Sequence, residues 1–186
     1  MPDLRPAAVK LLEDSAREFV GRADRIRLDA WDRVPPSGGW SPLQLAEHLA
    51  LVELSCVKAL PRKLFAEPAG EELLAATRPR EEGLVTWFET GKKRVAPDFV
   101  TPTNQWSSAA EVMAAFTSHR ASNVETFQNG PEDLRAYAFA HPILGPLDGY
   151  QWAVFLAEHV RRHLRQLDQI LIGLGITTME NPTGRT

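Results

Sequence analysis

A chain of 186 residues, 44% of them hydrophobic, carries enough apolar content to bury a core and falls in the size range of one domain. Its formal net charge of −3 offers no basic field to a nucleic-acid backbone, and the short basic runs Lys92-Lys93-Arg94 and Arg161-Arg162 are too local to change that. The single cysteine, Cys56, excludes an internal disulfide and any dithiol redox pair supplied by the chain alone.

From Met1 to Lys10 the sequence has charges and prolines where an export signal needs an apolar run. Its longest uncharged stretches, Ala136 to Leu147 and Gly149 to Ala157, are split by Asp148 and too short to span a bilayer. The expectation is a cytoplasmic protein with neither membrane nor nucleic acid as partner. A first helix is predicted from about Ala7 to about Arg33, where Val9, Leu11, Leu12, Ala16, Phe19, Val20, Ala23, Ile26, Leu28 and Ala30 recur at helical spacing. Val34-Pro35-Pro36-Ser37-Gly38-Gly39 then breaks it.

The second helix has a strong start signal. Ser41 caps, Pro42 suits the first helical position, and Gln44 completes a capping box. Its body reaches at least Leu60, where Pro61 should kink it or begin its end. From Glu67 to Gln105 four prolines, Pro68, Pro79, Pro97 and Pro102, leave room only for brief helical pieces near Glu71 to Thr77 or Leu84 to Thr90. A connection this long is usually functional or ordered by its own side chains. The third helix starts near Ser107 or Ser108, with Ser108 and Glu111 at capping-box spacing, and stops at Asn129-Gly130-Pro131. The fourth runs from about Leu147 to about Gly173. No strand-period segment is long enough to alter an all-α reading, so the pattern predicts a four-helix bundle over residues 1–176. A long connection joins its second and third helices, and residues 177–186 form a frayed tail.

On the fourth helix His159 and His163 are four residues apart, which at about 100° per residue leaves them on one face, one turn apart. Trp152, Phe155, Gln166 and Ile170 fall within about 40° of the same direction, so the pair lies in the apolar seam. Imidazoles there must satisfy a donor and an acceptor each, and a metal ion satisfies the acceptor while fixing the tautomer. The plain alternative is a pair of hydrogen-bonded core histidines. His48 shifts the balance, because Ser41, Gln44, Val52, Ser55 and Ala59 place it on an inward stripe of the second helix. Three inward histidines on two helices form a facial ligand set for a divalent ion, zinc by default, with room left for water or substrate. Val160 stands where a metalloprotease would carry its catalytic glutamate, which disfavours that activity. Glu47 and Glu158 precede candidate ligands but turn about 100° away, toward solvent or a supporting position. His119 and His141 are left outside the ligand set, His119 as an interfacial histidine.

The residues Gly39-Trp40-Ser41-Pro42 leading into Glu47-His48-Leu49, the run His141-Pro142-Ile143-Leu144-Gly145-Pro146-Leu147, and Glu158-His159 to His163-Leu164-Arg165-Gln166 resemble the DinB-like family. The resemblance covers the order of all four helices. It implies a four-helix bundle with a metal, zinc or nickel, held by His48, His159 and His163. Some members of the wider superfamily are metal-dependent S-transferases or isomerases that use bacillithiol, mycothiol or glutathione; many have no assigned reaction. The resemblance thus implies a thiol S-transferase acting on a small electrophile, with a metal-dependent hydrolase as the alternative. A third reading is a non-catalytic metal-binding or interaction module, dimeric through an exposed helix face. Whether the chain is an enzyme at all stays open at this level. Arg162, roughly 60° from the His159 direction, is the candidate for an anionic cofactor group, whereas Arg161 and Arg165 turn to the far side; a solvated basic edge is the favoured account of all three. Trp87, Phe88 and Trp106 either wall a pocket over the metal or anchor the long connection. Cys56 reads as a small packing residue.

Overall fold

The structure is a computed structural model and describes residues 2–80, 83–90 and 95–176. The basic run Lys92-Lys93-Arg94 and the tail 177–186 lie outside the described residues. Four long helices carry the fold, and each begins or ends where local chemistry demands. Helix α1 (Arg5–Ala23) buries Ala8, Leu12, Ser15, Phe19 and Ala23 along one stripe. It stops ten residues before the predicted end at Arg33. The chain turns through Asp24 to Arg27, Arg27 is extended, and a short 3-10 turn follows at Leu28–Ala30. The apolar pattern misleads because Ile26, Ala30 and Trp31 are buried without being α-helical. They tuck against the next helix, where Leu43 N–H donates to the Trp31 carbonyl at 3.0 Å. Leu28, which occupies the same supposed stripe, is 87% exposed.

Helix α2 (Pro42–Ala59) opens on the full Ser41–Gln44 capping box. Pro61 does not end it. The chain widens into a π-helical turn at Leu60–Leu64, in which Phe65 N–H donates to the Leu60 carbonyl. Such a turn takes up one extra residue, so the missing proline donor is absorbed without a break. The long connection then contains both brief helices foreseen in it, α3 (Glu71–Thr77) and α4 (Leu84–Glu89). Helix α5 (Ala109–Gln128) is capped by Ser108, which accepts from Glu111 N–H.

A two-stranded antiparallel hairpin precedes the last helix, with β1 (Ala138–His141) paired to β2 (Gly145–Asp148) from Ala138↔Asp148 to His141↔Gly145. It was not foreseen, since four residues per strand are too few to show a period. Helix α6 (Gly149–Gly173) therefore starts later than predicted, on a second complete capping box between Asp148 and Gln151. Gly149 sits where the helix begins beneath the Leu134 turn, and a Cβ there would lie 2.5 Å from the Leu134 carbonyl oxygen. Gly149→Ala should cost about 1–3 kcal/mol from overpacking, read as a lower midpoint in urea unfolding; an unchanged midpoint would mean that the turn gives way easily.

In cross-section α2 packs on α5, α5 on α1, α1 on α6, and α6 on α2, closing a ring of four helices. Helix α4 leans on α6 from outside, where the buried Phe88 enters the core. Among the described residues no helix is long and apolar enough to cross a membrane. Two apolar clusters fill the bundle, one around Leu12, Leu60, Phe127 and Leu156 and one around Phe19, Leu45, Phe116 and Leu167. A buried polar group of Ser15, Glu53, Arg120 and Asn123 accompanies them.

Candidate metal centre

Helical phase on α2 and α6 brings His48, His159 and His163 together, with His48 and His163 buried and His159 half-buried. One ligand atom from each lies within 4.8 Å of the other two, and among the described residues this is the only such group of histidine, cysteine and carboxylate side chains. The His159 Nε2 lies 3.3 Å from His48 Nε2 and 3.2 Å from His163 Nε2. The outer nitrogens are committed elsewhere. His48 Nδ1–H donates to the Val100 carbonyl at 2.8 Å, and His163 Nδ1–H donates to Gln166 Oε1 at 2.9 Å.

These bonds fix the tautomers. With Nδ1 protonated in both rings, His48 and His163 each point an Nε2 lone pair at the third imidazole. His159 Nε2 has at most one proton to offer, so one lone pair is left facing another. A cation at the centre removes the conflict. Two nitrogens each about 2.05 Å from a tetrahedral zinc stand about 3.3 Å apart, which matches both separations. Burial, the largest influence, holds all three rings below the ordinary histidine pKa: His163 falls to about 3, helped by the His48 charge. Neutral imidazole is the form that binds metal. The residues present therefore fit a divalent ion.

Aromatic rings surround the cluster. Trp40 lies 4.9 Å from the His48 ring and 6.4 Å from His163, while Phe155 and Phe88 lie 5.5 and 6.4 Å from His159, centroid to centroid. Phe88 thus both walls the site and anchors the connection, because Arg165 Nη2 donates to its carbonyl at 3.1 Å. Arg165 is nonetheless exposed, as a solvated edge requires, and Arg161 is half-buried and pairs with Glu18 and Glu158. Trp87 packs edge-on to Phe88, whereas Trp106 packs against the Phe19–Phe116 cluster. Arg162 is half-buried, interacts within the protein, and stands close enough for its charge to depress both His159 and His163.

The remaining histidines have ordinary partners. His119 Nδ1–H donates to the Ala50 carbonyl across the α2–α5 contact. His141 Nδ1 accepts from the Ile143 and Leu144 amides, which shapes the hairpin tip, and its ring lies 4.4 Å from Phe155. Burial holds its pKa down to about 4, so the ring is neutral with the proton on Nε2. Cys56 is buried, and burial raises its thiol pKa, leaving it an inert packing residue. Sequence reasoning missed Trp40 and the Val100 carbonyl. Of the two placements open to Glu47 and Glu158, solvent or a supporting position, the structure excludes solvent: both are buried, and Glu47 accepts from three backbone amides.

A family model described as the DinB superfamily matches residues 11–167, nearly the whole bundle. The chain belongs to that superfamily. The uncharacterized protein YuaE of Bacillus subtilis is 22% identical over 158 residues, covering 79% of this chain and 93% of YuaE. The fold is similar to that of YfiT from Bacillus subtilis, described as a probable metal-dependent hydrolase with an unusual four-helix bundle topology. That likeness has a TM-score of 0.61 at 14% identity, and it covers 93% of this chain and 89% of YfiT.

Proposed function

We propose that this DinB protein is a metal-dependent enzyme in which His48, His159 and His163 hold a zinc or nickel ion and a low-molecular-weight thiol is transferred to a small electrophile. The observation that carries the reading is the convergence of three imidazole nitrogens with no fourth ligand-capable side chain beside them among the described residues. Structural metal sites are closed by four protein ligands, whereas catalytic ones keep a position for substrate. His119 does not close the shell, since its ring is bonded to the Ala50 carbonyl. His159 is the most exposed residue of the three. A bound divalent ion supplies the Lewis acidity that lowers the pKa of a thiol or a water.

The chain's own groups suit a thiol better than a water nucleophile. Hydrolysis gains from a positioned general base. Both nearby carboxylates are occupied, Glu47 by three amides and Glu158 by Arg161. Thiol transfer needs no such base once the thiol is deprotonated. Trp40, Phe88 and Phe155 pack about the cluster, and the nearby charge of Arg162 would favour an anionic group on the thiol compound. A hydrolase remains the second reading, favoured by the likeness to YfiT.

Elemental analysis of the purified protein should find about one divalent ion per chain. Chelated and reloaded protein is then incubated with bacillithiol, mycothiol or glutathione and a panel of alkyl and aryl electrophiles. Metal-dependent loss of thiol supports transfer; metal-dependent ester or amide cleavage without thiol supports the second reading. Wild-type protein that takes up no metal overturns both.

A further inference from the structure

We propose that Glu47 is a positioning residue for the metal centre, acting through the 98–105 segment to hold the carbonyl that orients His48. The inference rests on the metal reading above. Glu47 is 1% exposed, a costly place for a carboxylate unless several donors meet it. Its Oε1 accepts from Thr103 N–H at 3.0 Å and Gln105 N–H at 2.9 Å, and its Oε2 from Asn104 N–H at 3.0 Å. Three successive amides converge this way because Asn104 is left-handed, with φ of 62°. Asparagine tolerates that conformation better than most residues.

Just before this clasp comes the 3-10 turn Asp98–Val100, whose last carbonyl receives His48 Nδ1–H. Thr101 closes the turn by donating its hydroxyl to the Pro97 carbonyl at 3.1 Å. Two consecutive residues of α2 therefore grip one loop at two points. The neighbour in sequence, Glu47, fastens the loop; His48 uses the loop to set its tautomer and ring angle. If the carboxylate lets go, the Val100 carbonyl loses its fixed position, and His48 Nδ1–H turns to water instead. Supporting groups of this kind are worth roughly 10–100-fold in metal affinity.

The test compares Zn²⁺ affinity by chelator competition in wild type and Glu47→Gln, a change that keeps the shape but removes the charge and one acceptor. A weakening of roughly 10–100-fold is expected. In the Co²⁺-loaded proteins, the shifted Nδ1–H proton resonance of His48 should exchange quickly with water in the variant, while that of His163, held by Gln166, persists. A purely structural role would lower the melting temperature and leave both readouts unchanged, which overturns the proposal. Wild type provides a measurement independent of the variant's folding. By reciprocity of coupling, Zn²⁺ should slow hydrogen exchange at the Thr103, Asn104 and Gln105 amides. Equal exchange with and without Zn²⁺ overturns the proposal. Failure of wild type to bind Zn²⁺ removes the metal reading and this inference with it; failure confined to the variant or to the amides removes this inference alone.

Discussion

His159→Ala should abolish the stabilisation that zinc confers on this protein while changing the metal-free protein far less. His159 is the hub of the cluster, since its Nε2 lies 3.3 and 3.2 Å from the other two Nε2 atoms. Without it two nitrogens remain on separate helices, too few to hold an ion against water. A ligand present at a thousand times its dissociation constant stabilises the folded state by about 4 kcal/mol. At roughly 2–4 °C per kcal/mol for a chain of this size, the melting temperature of wild type should rise by about 8–16 °C on saturation with zinc. The variant should show no rise. Its metal-free form loses only the packing of a half-buried ring against Phe88 and Phe155 and at most one hydrogen bond, a loss of about 1–2 kcal/mol. His119→Ala serves as the comparison, because its ring bonds only to the Ala50 carbonyl; it should keep the full zinc-induced rise. A rise of equal size in His159→Ala would sink the assignment of the site.

The legible parts of this chain were those in which a signal and its consequence are close in sequence. Ser41, Pro42 and Gln44 announce α2 because a capping box is satisfied within one turn; Ser108 marks α5 by accepting from Glu111 N–H, although the Glu111 carboxylate reaches Ser107 and leaves that box half made. Helical phase alone put His159, His163 and Gln166 on one seam, and the structure joins the latter two by a hydrogen bond. The illegible parts depend on long-range contacts or on the backbone. Val100 reaches His48 through its carbonyl, which every residue has, so no side-chain pattern marks it. Ile26, Ala30 and Trp31 keep an apolar rhythm after α1 has ended, because a turn can bury residues as well as a helix does.

Three missed features did leave a trace. Asp148 and Gln151 stand at capping-box spacing, which would have placed the start of α6 correctly. Glu47 shares a helical stripe with Leu43 and Ala50, both buried, so phase alone favours a supporting position for it over solvent. The same is true of Arg120 and Asn123. They sit between Phe116 and Phe127 at the four- and three-residue steps that define the inner face of α5. A charged residue on such a stripe asks for a buried partner.

Arg120→Met is the substitution expected to cost the fold most. Arg120 Nη2 donates to Glu53 Oε1 at 2.6 Å and to the Leu156 carbonyl, while its Nη1 donates to the Leu12 carbonyl and to Ser15 Oγ. Asn123 Nδ2 completes the group by donating to Glu53 Oε2 at 2.7 Å. Both members of the ion pair are almost wholly buried, at 3% and 2% side-chain exposure. Removing the cation leaves the carboxylate with a single amide donor in a place water hardly reaches. Breaking a buried pair in this way costs about 3–5 kcal/mol, more than the pair adds over an apolar replacement. Urea unfolding should show that loss for Arg120→Met. Adding Glu53→Gln should restore more than half of it, since the neutral amide still accepts from Asn123 and no longer needs a counter-charge. Strictly additive losses in the two-residue cycle would refute the coupling. The network joins α1, α2, α5 and α6 through Ser15, Glu53, Arg120 and the Leu156 carbonyl. It therefore sets the spacing of α2 and α6, the two helices that must meet for His48 to reach His159. The double variant should thus regain stability more fully than zinc affinity, because a neutral pair repairs the charge without restoring the five-donor guanidinium that ties the helices together.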